Sequence, residues 1–100
     1  MIKFEQKKIK LTILANGLYV SSDGLKTIGS PKEVNIGIDD DNKKLAIRAA
    51  KKDSSVKYPV NGYKIFNRTL SSKVKNISSK KTFFGKFNAR RNLIEFYLGE

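Results

Sequence analysis

Hydrophobic and polar residues alternate along three stretches in the first half of the chain, and this two-residue period is typical of β-strands. The stretches are residues 9–13, 34–38 and 45–49. The acidic turn 39–42 separates the last two stretches, so they form the clearest predicted β-hairpin. Residues 9–20 are predicted to form two short strands or one bent strand. A short helix is predicted between this segment and the hairpin, with Ser22 as its N-terminal cap.

The second half of the chain repeats this order of elements. A strand is predicted at 63–66, and Asn67 can cap a helix in which apolar residues recur on one face. Alternation in 83–87 and 94–98 then predicts a second hairpin, with a turn between its strands. A linker rich in Lys, Asp and Ser, 50–57, separates the two halves.

These elements predict one domain, 1–100, of the α+β class with mostly β structure. It contains two strand–helix–hairpin units, 9–49 and 58–98, joined by the linker 50–57. One such unit has too little apolar surface to be stable alone, so the two are expected to form one barrel-like or swapped-hairpin domain. The alternative is that the halves are two unrelated β-rich segments.

The chain is strongly basic, with 21 Lys and Arg against 9 Asp and Glu and a net charge of +12. Residues 1–50 carry 9 basic and 6 acidic groups, whereas residues 51–100 carry 12 and 3. The second half therefore holds most of the excess charge. This distribution predicts binding to a polyanion, with nucleic acid as the first candidate.

Several function classes are disfavoured by what the sequence lacks. There is no Cys and no His, so the usual ligands of zinc, copper and iron centres are missing and no cofactor is predicted. The acidic turn 39–42 lacks the spacing of a calcium loop. The sequence shows no set of residues that could act together as nucleophile, base and acid, so an enzyme is not expected. No stretch approaches the roughly 20 apolar residues of a membrane span, which favours a cytoplasmic protein.

The order of residues from 17 to 48 carries a family resemblance. A glycine and a hydrophobic strand, Gly17–Val20, precede a short helix with Leu25 and a terminal glycine, Gly29, and a hydrophobic hairpin with an acidic turn follows. This order resembles the swapped-hairpin unit of the AbrB, MazE and MraZ group of bacterial DNA-binding proteins. The resemblance implies a related architecture and DNA rather than RNA as the ligand.

The repeat in 63–98 extends this resemblance, because two copies on one chain are similar to the MraZ branch. The group usually has a proline after the first strand and an arginine in the short helix. Here Ser21, Ser22 and Lys26 stand in those places. The resemblance therefore implies an architecture more than a function, and it leaves a homodimer open.

Nine cations of the second half are the predicted contacts for nucleic acid or for another acidic partner. They are Lys64, Arg68, Lys73, Lys75, Lys80, Lys81, Lys86, Arg90 and Arg91. Phe83 and Phe87 lie among them. Alternation directs both rings toward the core, although stacking on bases is the other interpretation.

Two functions follow from these residues. The first is a DNA-binding transcriptional regulator that contacts mainly phosphates. The second is a phage-type anti-defence protein, similar to an anti-CRISPR inhibitor, which would use its basic surface against a host nuclease or its nucleic-acid complex. The sequence alone leaves both open.

Overall fold

The computed structural model describes residues 9–99, which form eight β-strands and two helices. The strands are β1 (Ile9–Leu14), β2 (Gly17–Val20), β3 (Glu33–Asp39), β4 (Lys44–Ala49), β5 (Tyr58–Pro59), β6 (Lys64–Phe66), β7 (Thr82–Asn88) and β8 (Leu93–Tyr97). The helices are α1 (Ser22–Thr27) and α2 (Arg68–Ile77). Neither described helix is long and apolar enough to cross a membrane.

All eight strands belong to one antiparallel sheet in the order β5-β3-β4-β8-β7-β1-β2-β6. The two end strands follow each other in the chain and are joined by residues 60–63. In this connection the backbones of Asn61 and Lys64 exchange two hydrogen bonds, of 2.8 and 3.0 Å. The sheet therefore curls into a nearly closed barrel, and the prediction of a mostly β, barrel-like fold is confirmed.

Four strand pairings bind the first half of the chain to the second across the sheet. In β4–β8, Leu45 lies opposite Phe96 and Ile47 lies opposite Ile94. In β2–β6, Leu18 lies opposite Ile65. Strands β1–β7 and β3–β5 also pair across the halves. Neither half could satisfy the backbone hydrogen bonds of these strands alone.

The inward-facing side chains of the sheet and the apolar faces of both helices form one core. Its fully buried members include Leu11, Leu18, Val34, Leu45, Ile47, Ile65, Val74, Ile94, Phe96 and Leu98. Removing this apolar surface from water stabilises the fold by about 25 cal/mol for each Å² buried. The outward-facing side chains do not pack in the core.

Two glycines let the core close. A Cβ at Gly17 would overlap the carbonyl oxygen of Ile65, because β2 and β6 approach closely there. A Cβ at Gly85 would lie 2.6 Å from the Phe96 ring, which fills the space above it. Gly37 differs, since a Cβ there would meet no atom within 4 Å.

Both helices begin at a polar cap, as the sequence predicts, but one cap is shifted. Ser21, and not Ser22, caps α1, and its hydroxyl accepts a hydrogen bond from the Gly24 N–H at 3.4 Å. Asn67 caps α2 and accepts from the Leu70 N–H at 3.0 Å. Adjacent serines are equally able to cap, so local sequence does not decide between them.

The segment 50–57 is fastened to β3 by the side chain of Asn35. The Asn35 Oδ1 accepts hydrogen bonds from the Ser54 hydroxyl at 3.0 Å and from the Lys51 N–H at 3.2 Å. The Asn35 Nδ2 donates to the Val56 carbonyl at 2.9 Å. One amide therefore holds three points of the segment, which contains little regular structure of its own.

The close approach at Gly17 yields a test of sheet closure. Replacing Gly17→Ala should lower the free energy of unfolding by about 2 kcal/mol or more, because the added methyl overlaps backbone that cannot move alone. Gly37→Ala is the matched control and should be neutral or slightly stabilising, since its site is open and the unfolded chain loses freedom. Urea denaturation measures both. Equal effects of the two variants would contradict the described β2–β6 contact.

The role of Asn35 can be tested by limited trypsin digestion. Asn35→Ala should raise cleavage at the exposed Lys51, Lys52 and Lys57 by at least about fivefold, because three hydrogen bonds are lost and each contributes about 1 kcal/mol. Asn76→Ala, at an exposed position on α2, should leave the cleavage rate unchanged. Cleavage spread over the whole chain would instead indicate global destabilisation and argue against a local anchor.

Candidate functional site

All nine cations predicted as contacts are exposed in the structure. Within residues 9–99, none of their side chains forms a hydrogen bond or an ion pair. They are distributed over β6, α2, the approach to β7, β7 itself and the β7–β8 turn. Their charges are therefore available to a partner, but they do not all belong to one surface.

Helix α2 shows this dispersion most clearly. Lys73 and Lys75 are two residues apart, which places them about 200° apart around a helix. Lys73 is directed toward the β3–β4 turn, where it lines a depression with Asp40 and Lys43. Arg68 and Lys75 are seven residues apart, so they lie on the same side of the helix, away from Lys73. The helix thus does not present these three cations to a single flat partner.

The register of the sheet brings cations and aromatic rings together on its outer side, at β4, β8, β7 and β1. Lys44 lies opposite Tyr97, and Lys10 lies opposite Phe84. Lys86 stands two residues beyond Phe84 on the same side of β7. These five residues, Lys10, Lys44, Phe84, Lys86 and Tyr97, are called the aromatic face below.

The two rings of the aromatic face are unusually open to solvent. Phe84 is 62% exposed and Tyr97 is 60% exposed, whereas their chain neighbours Phe83 and Phe96 are 4% and 1% exposed. Phe83 therefore belongs to the core, and Phe87, at 38%, lies at the margin of it. The stacking candidates are Phe84 and Tyr97, because alternation turns them outward.

A shallow depression of about 340 Å³ lies on the aromatic face between Lys44, Phe84, Lys86 and Tyr97. A second depression, lined by Gly37, Lys44, Ala46 and Arg91 among others, adjoins it, since Lys44 and Glu95 line both. The small side chains in the middle leave this trough open across β3, β4, β8 and β7. Of the nine predicted cations, Lys86 and Arg91 line this trough.

Two carboxylates interrupt the positive charge of the trough. Glu95 lies opposite Lys86 and accepts a hydrogen bond from Asn88 Nδ2 at 2.9 Å. Asp39 accepts one from Asn42 Nδ2 at 2.8 Å, and this bond lowers the pKa of the Asp39 carboxyl below its ordinary value. Asp39 therefore stays charged at neutral pH.

The far end of the trough carries a cation that is hydrogen-bonded to a neighbouring side chain. The Arg48 Nε donates to the Asn35 Oδ1 at 3.2 Å, so the amide that anchors 50–57 also orients this guanidinium. The Arg48 side chain lines the trough together with Leu93. Arg48 is thus a further candidate contact.

A second group of exposed rings lies on β2 and β6. Tyr19 and Tyr63 contact each other edge to face, with ring centroids 6.3 Å apart and planes at 78°. Phe66 is 53% exposed, and Lys64 lies opposite Tyr19. This group holds one of the nine predicted cations.

Four residues around the trough, Lys10, Lys44, Arg48 and Tyr97, are absent from the contacts that the sequence predicts. The alternation of 94–98 directs Tyr97 outward, so its exposure could have been found. Its proximity to Lys44 could not, because that depends on the β4–β8 register. Lys10 is adjacent to Phe84 for the same reason.

Within the part of the chain that the structure describes, no group of three or more acidic side chains could hold a metal ion. Comparisons of the chain with protein-family models, curated proteins and solved structures found no match. Its function must therefore be argued from its own residues, and the aromatic face combines three exposed cations with two exposed rings, whereas the β2–β6 group has one cation, Lys64.

Proposed function

We propose that this protein binds nucleic acid and that the aromatic face is the centre of its contact surface. The observation that carries the proposal is the juxtaposition of three exposed cations, Lys10, Lys44 and Lys86, with two exposed rings, Phe84 and Tyr97. Cations bind phosphates, and rings offer a surface to bases. A face that served only to keep the protein in solution would need no such rings.

The charge of the whole chain favours the same ligand. A net charge of +12 attracts any polyanion over a distance of about 8–10 Å at ordinary salt. Each phosphate that is neutralised releases counterions, so affinity falls with salt by about 0.7 to 0.9 logarithmic units per contact for each tenfold rise. Contacts by Arg91 and Arg48 along the trough would steepen that dependence.

We also propose that the chain consists of two copies of one strand–helix–hairpin unit, 9–49 and 58–98. The support lies in the strand order. Exchanging β1 with β5, β2 with β6, β3 with β7 and β4 with β8 gives the same order read around the barrel in reverse. An arrangement with an approximate twofold axis has this property.

The register across the halves supports the same duplication. Leu45 pairs with Phe96, and Ile47 pairs with Ile94. If Leu45 corresponds to Ile94 and Ile47 to Phe96, both 49 residues apart, the exchange turns one pair into the other. A twofold axis would therefore pass between β4 and β8.

The two hairpin turns match in their hydrogen bonding. Asp39 accepts from the Asn42 N–H at 3.1 Å, and Asn88 accepts from the Arg91 N–H at 3.2 Å. Lys43 and Asn92 then both have a φ of 53°. Duplication of this kind supports the architecture that the resemblance to the AbrB, MazE and MraZ group implies.

The contact surface can be located with two variants of equal charge. Replacing Lys10, Lys44 and Lys86 together with Gln lowers the net charge from +12 to +9, and so does replacing Arg68, Lys73 and Lys75. We expect the first variant to reduce the salt dependence by about 2 to 3 logarithmic units, because three phosphate contacts are lost. Fluorescence anisotropy over a salt series measures this slope.

The second variant should weaken binding only slightly, through the weaker overall field. A larger loss in the α2 variant would place the contact on the helix, whose Arg68, Lys73 and Lys75 also belong to the nine predicted cations. The absence of any binding by the unaltered protein at low salt, to DNA or to RNA, would overturn the proposed function itself.

Replacing Glu95 tests the proposal through an expected gain, and not a loss, of affinity for nucleic acid. Glu95→Gln should tighten binding by about threefold to tenfold, because it removes a negative charge beside Lys86 while the amide oxygen still accepts from Asn88. Glu33→Gln, on the edge of β3 outside the trough linings, is the control and should change affinity less. Equal gains would mean that only net charge matters.

A further inference from the structure

We infer that the aromatic face selects single-stranded over duplex nucleic acid, because Phe84 and Tyr97 form a platform on which unpaired bases stack. This inference rests on the proposed function and deepens it, since it names the class of nucleic acid. It depends on the exposure of the two rings, on how they are held and on the charges around them.

The two rings lie on neighbouring strands, β7 and β8, on the same side of the sheet. Neighbouring strands are about 4.8 Å apart, so side chains at these positions lie within reach of one bound nucleic-acid strand. Both rings line the same depression, with Lys44 and Lys86 at its margin. Successive bases of a flexible strand can stack on such a surface while its phosphates meet the cations.

Tyr97 is held in place by the chain that follows it. The ring and hydroxyl of Tyr97 occupy the space that a Cβ of Gly99 would fill, so the ring lies directly over the Gly99 backbone. Gly99 is buried by this contact. A ring fixed against the backbone loses little conformational freedom when a base stacks on it, which favours affinity.

The positive charge around the two rings disfavours a second copy of this chain as their partner. A second copy of this chain would bring the cations Lys10, Lys44 and Lys86 near their equivalents, and like charges in an interface are costly. The same cations complement the phosphates of a nucleic acid. A ligand that carries both phosphates and flat apolar surfaces can therefore bind the cations and cover the rings at the same time.

A duplex can bind the cations through its phosphates, but it offers no partner for the rings. Its bases are stacked on one another and present only their edges in the grooves, so no base face is free to stack on Phe84 or Tyr97. In a single strand the bases are free to stack, and stacking on each aromatic ring strengthens binding about 5-fold to 150-fold. The preference for single strands should therefore come from Phe84 and Tyr97 alone.

The experiment compares a labelled single strand of about 12 nucleotides with a duplex of the same sequence by anisotropy at one salt concentration. The unaltered protein should bind the single strand at least about tenfold more tightly. Phe84→Ala combined with Tyr97→Ala should weaken single-strand binding by about 25-fold or more and leave duplex binding and the salt slope unchanged.

Two further variants serve as controls. Phe84→Leu keeps apolar surface but removes the aromatic ring, so it should still lose about fivefold in single-strand affinity. Phe66→Ala removes another exposed ring, on β6 and outside the aromatic face, and should change nothing. Both altered rings of the double variant are exposed, so its melting temperature should stay within a few degrees of the original, which calorimetry checks.

Several outcomes would overturn the inference. Duplex binding as tight as single-strand binding, unchanged by the double variant, would sink it and leave nucleic-acid binding standing. An equal loss for both ligands would show that the rings shape the face instead of stacking. If sedimentation shows a dimer that the double variant abolishes, the rings bind a second copy. No binding to either ligand would remove the proposed function as well.

Discussion

The structure depends on the antiparallel pairing of strands that are distant in sequence, above all β4 with β8 and β2 with β6. These pairings join the two halves into one sheet whose end strands meet at residues 60–63. A sheet that closes on itself leaves few unpaired backbone groups, and exposed edges otherwise invite aggregation. Closure also demands close contact, which is why Gly17 can carry no side chain against Ile65.

In the barrel, each strand has an inner side that packs in the core and an outer side that faces solvent. The inner side is filled by branched aliphatic residues and by Phe96, whose ring occupies the space above Gly85. The outer side contributes little to packing, so its residues are free to carry charge and exposed rings. Phe83 and Phe84 show the division: adjacent in the chain, they are 4% and 62% exposed.

The excess positive charge has an energetic consequence for the folded state. Like charges on a compact protein repel each other, and expansion of the chain relieves this repulsion. Within residues 9–99, the side chains of the nine predicted cations have no ion-pair partner to offset it. An anionic ligand that binds the folded form would relieve the repulsion and add stability by mass action. Binding of such a ligand would thus be coupled to folding stability through the same cations.

The sequence by itself determined the elements. Alternation located both hairpins, and Asn67 with the apolar spacing of Leu70, Val74 and Ile77 located α2, because these signals act between near neighbours in the chain. The same local rules could not choose between Ser21 and Ser22 as the cap of α1. Net charge, also a property of the sequence, pointed to a polyanion.

Only the tertiary structure decided which charges meet which rings. Charge counts directed attention to the second half of the chain, yet Lys10 and Lys44 come from the first half and lie opposite Phe84 and Tyr97. These neighbours are set by pairing between strands some 50 to 75 residues apart, and a shift of one residue would turn each of them to the other face. Periodicity reveals the face of a strand, but register is a property of two strands together.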